Sequence, residues 1–475
     1  MQTHWQTIVI GAGISGLTAA YRLKTLGVDV LLVEGSGAPG GVIRSQSTGD
    51  YLVERGPNSV QATAPFLSLV EELGISDKLV EGDPKAPAFV YFKGSLHPVP
   101  RGPAALISTD LLSVSAKLAL LAEPFKAKRQ SGAEESVSSF FGRRLGKEVA
   151  ERLAGPFMSG IYAGDPDRLS IQAAFPALAE LESEHGSLLR GGIARMRKAK
   201  SASKESPPAA APSRRRRSCS FSAGMEVLPE ALASCLGKEL WLNSKVSELR
   251  AAAKPITAGE EDRPERFEIK LDGCDKADRL TSETLVIATP SIAAADLLAP
   301  ISEELGQLLR EIEYPPLAIV SVAYDTALIK ESLKGFGFLV APGEDLNILG
   351  CVYNSNLFPE RAPVGKVLLT CFVGGARKPL LARRKDPELS ALVHTDLKKV
   401  LGISGEPTVV SVTRYERSIP QYNIGHADRV RRIDGLVGGI RGLWLTGNYL
   451  HGVSTPDCIK EADRVARSLV EIQVR

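Results

Sequence analysis

The feature that most restricts the fold is a glycine-rich turn near the start of the chain. An apolar run at residues 7–10 leads into G-x-G-x-x-G at 11–16, and apolar side chains then recur at helical spacing. A second apolar run follows at 28–34 and ends on an acid, Glu34. A strand, tight turn, helix and strand in this order form the opening unit of a doubly wound α/β domain.

Each part of this turn has a physical task in binding a dinucleotide. Gly11 permits the tight turn, Gly13 lets the backbone approach a diphosphate, and Gly16 lets the helix pack closely on the strand. The N–H groups and the dipole at the start of the helix stabilise the phosphate charge. Glu34 can accept hydrogen bonds from the ribose hydroxyls. The predicted cradle comprises Gly11, Ala12, Gly13, Ile14, Ser15 and Gly16.

A second glycine pair, Gly40 and Gly41, lies shortly after the ribose acid, and Val42 and Arg44 follow it. This pattern favours a backbone segment that closes over a long, extended cofactor. A surface turn with a solvated arginine explains the same residues equally well. The choice between NAD and FAD therefore stays open at this point.

Charge is distributed unevenly along the 475 residues. The stretch 190–217 carries a net charge of +9, whereas the rest of the chain carries −6. Because the basic charge is confined to one stretch, we predict no nucleic-acid partner. Ser, Pro, Ala and Arg dominate residues 199–217, which predicts a disordered basic loop. That loop could be solvated, contact anionic lipid or bind an acidic protein partner.

The chain is long enough for two or three domains, and its composition is that of a soluble globular protein. No run approaches 18 apolar residues and no signal peptide is recognised, so we expect a cytoplasmic protein. Six scattered cysteines fit a reducing compartment, and no Cys/His spacing predicts a metal site. Apolar residues at 104–128 suit either packing within the protein or a peripheral position at the inner face of the cell membrane.

Further motifs resemble one known family. They are, in chain order, PGGVIRS, ERGPNS, GPFMSGIYAGDPDRLS, SFSAGMEVLPEAL, LWLNSKV, LVIATP, GFGFLV, CFVGGAR and GLWLTGNYLHGVSTPDCI. Together with the opening glycine turn, they resemble the oxygen-dependent protoporphyrinogen oxidases, FAD-containing enzymes of haem and chlorophyll synthesis within the amine oxidase superfamily. The opening motif is common to many flavoproteins, whereas GIYAGDPDRLS, GFGFLV and CFVGGAR are particular to this family.

The resemblance implies an α/β fold with a Rossmann-like FAD-binding domain built from discontinuous segments. A mixed α+β substrate domain and an inserted helical, membrane-facing domain would complete it. The implied limits are 1–87, 218–299 and 426–475 for the FAD domain, 88–102 and 300–425 for the substrate domain, 103–198 for the helical domain, and 199–217 for the basic loop.

The resemblance also implies that FAD is bound non-covalently by residues outside the opening cradle. Val246 would contact the adenine through its backbone. The strand-to-helix junction near Asn448 offers N–H donors to the flavin, although a core strand ending in an ordinary turn would look the same. The implied flavin-side residues are Gly35, Gly41, Val42, Arg44, Gly56, Pro57, Asn58, Ser59, Gly447, Asn448, Val453, Ser454 and Thr455.

The implied substrate is a porphyrinogen, a flat tetrapyrrole that needs an apolar slot, an aromatic partner and a cation for its propionates. Phe372 would stack on one pyrrole ring, Leu339 and Val352 would enclose another, and the Gly160 carbonyl would face the ring centre. Family members commonly carry a propionate-binding arginine where this chain has Ala88. Arg101 is the predicted substitute, and a solvated turn arginine is the alternative.

The reaction implied is oxidation of protoporphyrinogen IX to protoporphyrin IX by O₂, in three two-electron steps that yield H₂O₂. Each step would pass a hydride from a meso carbon to the flavin, and no acid–base residue is assigned. The alternatives are oxidation of coproporphyrinogen III to coproporphyrin III, another flavin oxidase of the superfamily, or a flavin- or haem-carrying binding protein. A homodimer is a further open partner.

Overall fold

The computed structural model describes residues 2–129, 134–205, 217–252 and 266–474, and all structural statements refer to these ranges. The first sheet has a parallel centre, in which His4–Ile10 lies between Val30–Val33 and Arg279–Ile287. Its central strands are buried on both faces, as expected for a parallel sheet covered by helices. Its strands, in spatial order, are Leu240–Trp241, Val30–Val33, His4–Ile10, Arg279–Ile287, Arg266–Asp272 and Lys245–Ala252, with Leu443–Leu445 also paired to Arg279–Ile287.

Helices cover both faces of the first sheet and bury two apolar cores. The helices on one face are Ile14–Thr25, Ala64–Glu72, Val227–Leu236 and Thr455–Val474. Those on the other are Ser291–Leu298, Glu303–Arg310 and His426–Gly438. Helix Glu303–Arg310 begins just beyond the expected domain limit at residue 299, and its Leu305, Leu308 and Leu309 side chains pack into this core.

The second sheet has one face packed on helix Asp386–Leu401 and one face turned towards the cofactor-binding segments. Only Gly337–Val340 and Ala88–Phe92 pair in parallel. Lys93 and Gly94 have φ values of 50° and 78°, which form the tight turn between the strands Ala88–Phe92 and Ser95–Pro98. Its strands, in order, are Thr408–Tyr415, Leu317–Asp325, Lys366–Gly374, Ile348–Tyr353, Gly337–Val340, Ala88–Phe92 and Ser95–Pro98.

Two small sheets and a group of helices complete the described chain. The short strands are Ser45–Thr48 with Tyr51–Glu54, and Val60–Gln61, Ser218–Phe221 and Leu79–Glu81. The remaining helices are Pro103–Ser108, Val114–Leu121, Val137–Leu145, Lys147–Val149, Gly155–Tyr162, Ile171–Ala174, Pro176–His185, Leu188–Glu205 and Asn354–Leu357, with a π-helical turn at Ala150–Ala154. Short 3₁₀ turns lie at Ser76–Lys78, Glu123–Phe125, Gly237–Glu239, Thr326–Leu328 and Pro379–Arg383.

A buried acid holds the inserted helices together. The Glu123 carboxylate accepts hydrogen bonds from the Ser187 hydroxyl at 2.6 Å and from the Leu188 N–H at 2.9 Å. It also pairs with Arg144, and neither side chain is exposed. Glu123 therefore caps the N-terminus of helix Leu188–Glu205 and compensates a buried guanidinium.

Helix Leu188–Glu205 corrects part of the prediction for the basic stretch. Seven residues that were expected to be disordered, 199–205, continue this helix. A helix already nucleated and capped is extended readily by Ala, Lys and Glu, which have high helix propensity. Residues 206–216 of the predicted loop lie outside the described residues. Within the described ranges, no helix is long and apolar enough to cross a membrane.

Candidate functional site

The glycine turn after the first strand has the geometry of a phosphate cradle. Gly11 has φ of 100°, and a Cβ on Gly16 would stand 1.9 Å from the Gly11 carbonyl oxygen. A Cβ on Gly13 would meet no protein atom within 4 Å, so open space borders the start of helix Ile14–Thr25. No side chain of the described residues caps this helix, which leaves its first-turn N–H groups available to an anion.

Glu34 lies at the end of the second strand and holds the cradle in place. Its carboxylate accepts hydrogen bonds from the Ala12 N–H at 2.7 Å and the Ser36 N–H at 2.8 Å. A carboxylate has about four lone-pair sites, so two hydrogen bonds leave capacity for ribose hydroxyls. Gly35 lies directly against Lys245, where a Cβ would be 3.4 Å from its Cα. This contact places Val246, which borders a β-bulge, next to Gly35 and so on the Glu34 side of the cradle.

A second helix begins beside the same cradle. Helix Thr455–Val474 packs along Ile14–Thr25. Ser454 caps the C-terminal helix by accepting the Asp457 N–H at 3.3 Å. Two helix N-termini therefore converge on the site, and both dipoles favour negative charge there.

The second glycine pair lies against the cradle. Gly40 donates its N–H to the Ala12 carbonyl at 2.7 Å, and a Cβ on Gly41 would stand 3.3 Å from the Gly13 Cα. A Cβ on Gly56 would be 2.0 Å from the Val42 carbonyl oxygen. These close approaches bring two stretches expected at the flavin into one layer beside the diphosphate position.

The Arg44 side chain is held in place by hydrogen bonds to two protein groups. Its guanidinium donates to Glu226 Oε1 at 2.8 Å and to the Ala38 carbonyl at 2.7 Å. Nearby Glu54 is buried and accepts hydrogen bonds from Ser45 and the Met225 N–H, and it pairs with Arg361 at 3.2 Å. Burial raises the pKa of Glu54, while the Arg361 charge opposes that shift.

The C-terminal segment expected at the flavin is held by Tyr422, which the sequence analysis did not identify. The Tyr422 hydroxyl donates to the Asn448 carbonyl at 2.7 Å and accepts the Gly452 N–H at 2.8 Å. Its ring stacks on His426 with centroids 4.0 Å apart. Burial lowers the pKa of His426 to about 4, so the imidazole is neutral at pH 7. Gly447 and Val453 flank this clamped loop.

The three predicted substrate residues of the second sheet share one face. Phe372 pairs with Gly350 and Gly350 with Leu339, which makes one row across three strands. Val352 lies in the next row on the same face, between Thr370 and Gly337, and Ala88 ends that row. Directly paired residues point to the same side of a sheet. Phe372 is half-exposed, although most of its strand is buried.

Helix Gly155–Tyr162 faces this row. A Cβ on Gly160 would be 2.8 Å from Leu339 Cδ2, so helix and sheet touch at the predicted position. Phe157 and Ile161 share the Gly160 face of the helix and are 39% and 42% exposed. Half-exposed apolar side chains therefore border this point of contact on both elements.

Buried polar side chains connect the run at residues 56–59 to the face of the second sheet that carries Phe372. Asn354 donates to Asn58 Oδ1 at 2.9 Å and to Thr370 Oγ1 at 2.6 Å, and Ser321 lies 3.0 Å from the same threonine oxygen. Ser59, the last residue of that run, makes a hydrogen bond with Ser218 at 2.7 Å. No sequence signal pointed to Asn354 or Thr370, because their partners lie on separate strands.

Arg101 lies at the edge of the second sheet. Its guanidinium donates to the carbonyls of Pro84 and Ala86, at 3.1 and 2.5 Å. The structure therefore brings Arg101 close to Ala88, the position where the resemblance implies a propionate-binding arginine. Both of its terminal nitrogens are engaged by backbone oxygens.

Comparison with known proteins identifies the family. The profile for flavin-containing amine oxidoreductases matches residues 14–470. The chain belongs to this family. It is 37% identical to the chloroplastic protoporphyrinogen oxidase of Oryza sativa subsp. japonica, over 96% of this chain and 86% of that protein. It is 30% identical to the coproporphyrinogen III oxidase of Bacillus subtilis, over 96% of this chain and 95% of that protein.

Solved structures agree with this assignment. A protein from Exiguobacterium sp. 255-15, provisionally assigned as protoporphyrinogen oxidase, superposes with a TM-score of 0.79 at 26% identity over 99% of each chain. Reduced UDP-galactopyranose mutase shares the fold alone, with a TM-score of 0.70 at 16% identity. The predicted α/β fold class and the predicted FAD cofactor are confirmed. The open space at Gly13 and the uncapped helix fit a diphosphate.

Proposed function

We propose that this flavin oxidoreductase converts protoporphyrinogen IX to protoporphyrin IX, with O₂ as electron acceptor and H₂O₂ as product. The proposal places the substrate in an apolar slot between the Phe372 row and helix Gly155–Tyr162. The observation that carries it is the set of half-exposed apolar side chains where these two elements meet, together with the hydrogen bond from Asn354 to Asn58. A flat, largely apolar tetrapyrrole matches such a slot better than a small amine does. Relatives 33–37% identical to the chain are named protoporphyrinogen oxidases.

FAD supplies the hydride acceptor in this proposal, and the chain supplies orientation and a water-poor surface. Phe372 stacks on a pyrrole ring, and Leu339 and Val352 contact the adjoining ring. Gly160 lies in the last turn of its helix, where carbonyl oxygens lack intrahelical donors. Its carbonyl is therefore available to pyrrole N–H groups and can hold them towards the ring centre.

Anaerobic stopped-flow absorption tests the proposal. Mixing the FAD-loaded protein with protoporphyrinogen IX should bleach the oxidised flavin, and admitting O₂ should restore it with formation of H₂O₂. Phe372→Ala should retain FAD and bleach more slowly, because it loses an aromatic contact but no cofactor contact. Absence of bleaching with any porphyrinogen would contradict the proposal.

Coproporphyrinogen III is the second candidate substrate. Relatives from Bacillus subtilis and Staphylococcus aureus, 30% and 29% identical, are named coproporphyrinogen III oxidases. This substrate carries four propionates rather than two. Side-by-side values of kcat/KM on both porphyrinogens decide between them, and a higher value on coproporphyrinogen III would replace the first choice.

We also propose that the inserted helices contact a membrane surface. Val114, Leu118, Leu121 and Phe125 form an exposed apolar stripe, from 61% exposed at Leu118 to 83% at Phe125. Leu111 and Leu112, which the sequence made equally eligible, are buried and belong to the core. Leu118→Glu should reduce sedimentation with anionic liposomes, whereas Leu380→Glu, at an exposed site near the second sheet, should not. Equal sedimentation of both variants would refute the contact.

A further inference from the structure

Arg55 is the first residue of the run that leads into the flavin-side segment, and it reaches the second sheet. Its Nε donates to the Thr413 hydroxyl at 3.3 Å, across 358 residues of sequence. The Tyr415 hydroxyl donates to the Arg55 carbonyl at 2.8 Å. Thr413 and Tyr415 are two residues apart on one strand and therefore lie on the same face of the sheet.

That face is the substrate face. Thr413 pairs with Ile319, and Ile319 pairs with Phe372, so all three belong to the row that continues to Leu339. Thr413 is two strands from Phe372, or about 10 Å at a strand spacing of about 4.8 Å. This separation suits a tetrapyrrole stacked on Phe372 that extends one propionate arm towards Thr413.

Arg55 differs in its charge pairing from the other two arginines near this segment. Arg44 is paired with Glu226, and Arg361 with Glu54. Arg55, in contrast, forms no ion pair with a carboxylate of the described residues, and its two terminal nitrogens have no hydrogen-bond partner among them. Burial raises the pKa of Tyr415, and the nearby charges of Arg55 and Arg44 oppose that shift.

Arg101 is a weaker candidate for the same task. Both of its terminal nitrogens already donate to backbone carbonyls. It also lies beside the strand Ala88–Phe92, which is three strands from Phe372 in the other direction, or about 14 Å. Arg55 is therefore the closer cation and the one with a free donor pair.

We propose that Arg55 binds a propionate carboxylate of the tetrapyrrole and sets the orientation of the ring in the slot. A guanidinium presents two parallel N–H donors that match a carboxylate, and Thr413 holds Nε so that the terminal pair stays available. This inference rests on the proposed porphyrinogen substrate. It assigns the role for which the sequence offered only Arg101.

A pair of ligands that differ only in their carboxylates tests this role. Deuteroporphyrin IX and its dimethyl ester are titrated into the FAD-loaded protein, and binding is followed by quenching of porphyrin fluorescence. Arg55→Leu should weaken binding of the free acid by about 10- to 100-fold, the range for a charge-assisted pair, and leave the ester unchanged. Arg55→Lys should lose less affinity for the free acid and should still prefer it to the ester, because lysine keeps the positive charge but lacks the two parallel N–H donors.

Arg414→Leu is the matched control, because Arg414 follows Thr413 on the same strand and points to the opposite face. It should bind both ligands as the parent does. In turnover, Arg55→Leu should raise KM for the porphyrinogen with little change in kcat, since Arg55 touches no reacting atom.

Equal losses for the acid and the ester would overturn the proposal by making Arg55 a structural residue, and unchanged binding of the acid would overturn it directly. An acid-specific loss in Arg101→Leu but not in Arg55→Leu would assign the anchor to Arg101. If Arg55→Leu fails to retain FAD, Arg55→Lys supplies the same comparison. Failure of the parent protein to bind either porphyrin or to oxidise any porphyrinogen would instead contradict the proposed function.

Discussion

Removing the Tyr422 hydroxyl should loosen the C-terminal loop, which we propose contacts the flavin. Tyr422→Phe deletes one donated hydrogen bond, to the Asn448 carbonyl, and one accepted hydrogen bond, from the Gly452 N–H. The ring can keep its stacking on His426, so the change isolates the two polar contacts. Both contacts join residues that are far apart in sequence, and no other side chain of the described residues makes them.

The expected size follows from these two bonds. Each contributes about 0.5–1.5 kcal/mol net, and an unpartnered buried group costs about 1–3 kcal/mol. Asn448 and Gly452 are half-buried, so water can partly replace the hydroxyl, and we expect a total loss of about 2 kcal/mol. If FAD requires the ordered loop, the same free energy weakens FAD binding by about 30-fold.

The assay is titration of FAD into the apoprotein, followed by quenching of flavin fluorescence, together with the thermal midpoint of the loaded protein. Tyr449→Phe is the control in the same loop, because its hydroxyl is fully buried and has no hydrogen-bond partner among the described residues. It should change the FAD Kd by less than about twofold, since no formed bond is lost. Unchanged FAD affinity in Tyr422→Phe, or an equal loss in Tyr449→Phe, would refute the reasoning.

Three further predictions follow from the cradle, a buried histidine and a buried ion pair. Gly16→Ala should abolish FAD binding and lower the stability of the apoprotein, because its Cβ would be 1.9 Å from the Gly11 oxygen. Gly13→Ala should weaken FAD binding without lowering apoprotein stability, because its Cβ would meet no protein atom. Thermal melts with and without FAD distinguish these two effects. The pKa of His426 falls from 6.5 unfolded to about 4 folded, so the stability that its neutral form contributes is present above pH 6.5 and is lost as pH falls towards 4. The free energy of unfolding should therefore fall by about 2 kcal/mol between about pH 7.5 and about pH 5 because of His426 alone. Urea titrations at the two pH values should show a decrease smaller by this amount in His426→Phe than in the parent protein. Glu123→Gln should cost about 1–3 kcal/mol, because Arg144 loses one of its two buried carboxylate partners and keeps Glu182 at 3.5 Å. Glu148→Gln, at a more exposed pair, should cost under about 1 kcal/mol in the same titrations.

Local sequence was sufficient where one short segment carries the whole physical requirement. The G-x-G-x-x-G turn was placed correctly between strand and helix, because the positive φ of Gly11 and the close approach of Gly16 to the Gly11 oxygen both arise within six residues. The hairpin at Lys93 and Gly94 follows from the two positive φ angles that such a turn needs. Helix Asp386–Leu401 also agrees with its apolar spacing.

The sequence was insufficient where packing decided the outcome. Helix Leu188–Glu205 extends into a stretch that composition had marked as disordered, and its N-terminal cap, Glu123, comes from 65 residues earlier. Leu111 and Leu112 are indistinguishable from Leu118 by type, yet only Leu118 is exposed. In both cases, a neighbour remote in sequence determines the structure.

The sequence by itself therefore determined the fold class and the glycine-rich cradle, and it named the residues that we propose to contact the substrate. The tertiary structure decided which residues meet: Asn354 reaches Asn58 across 296 residues, and Arg55 reaches Thr413 across 358. The physical reason is that strand register sets these pairs. Register arises from many weak contacts summed over a whole sheet, and a single segment does not carry that sum.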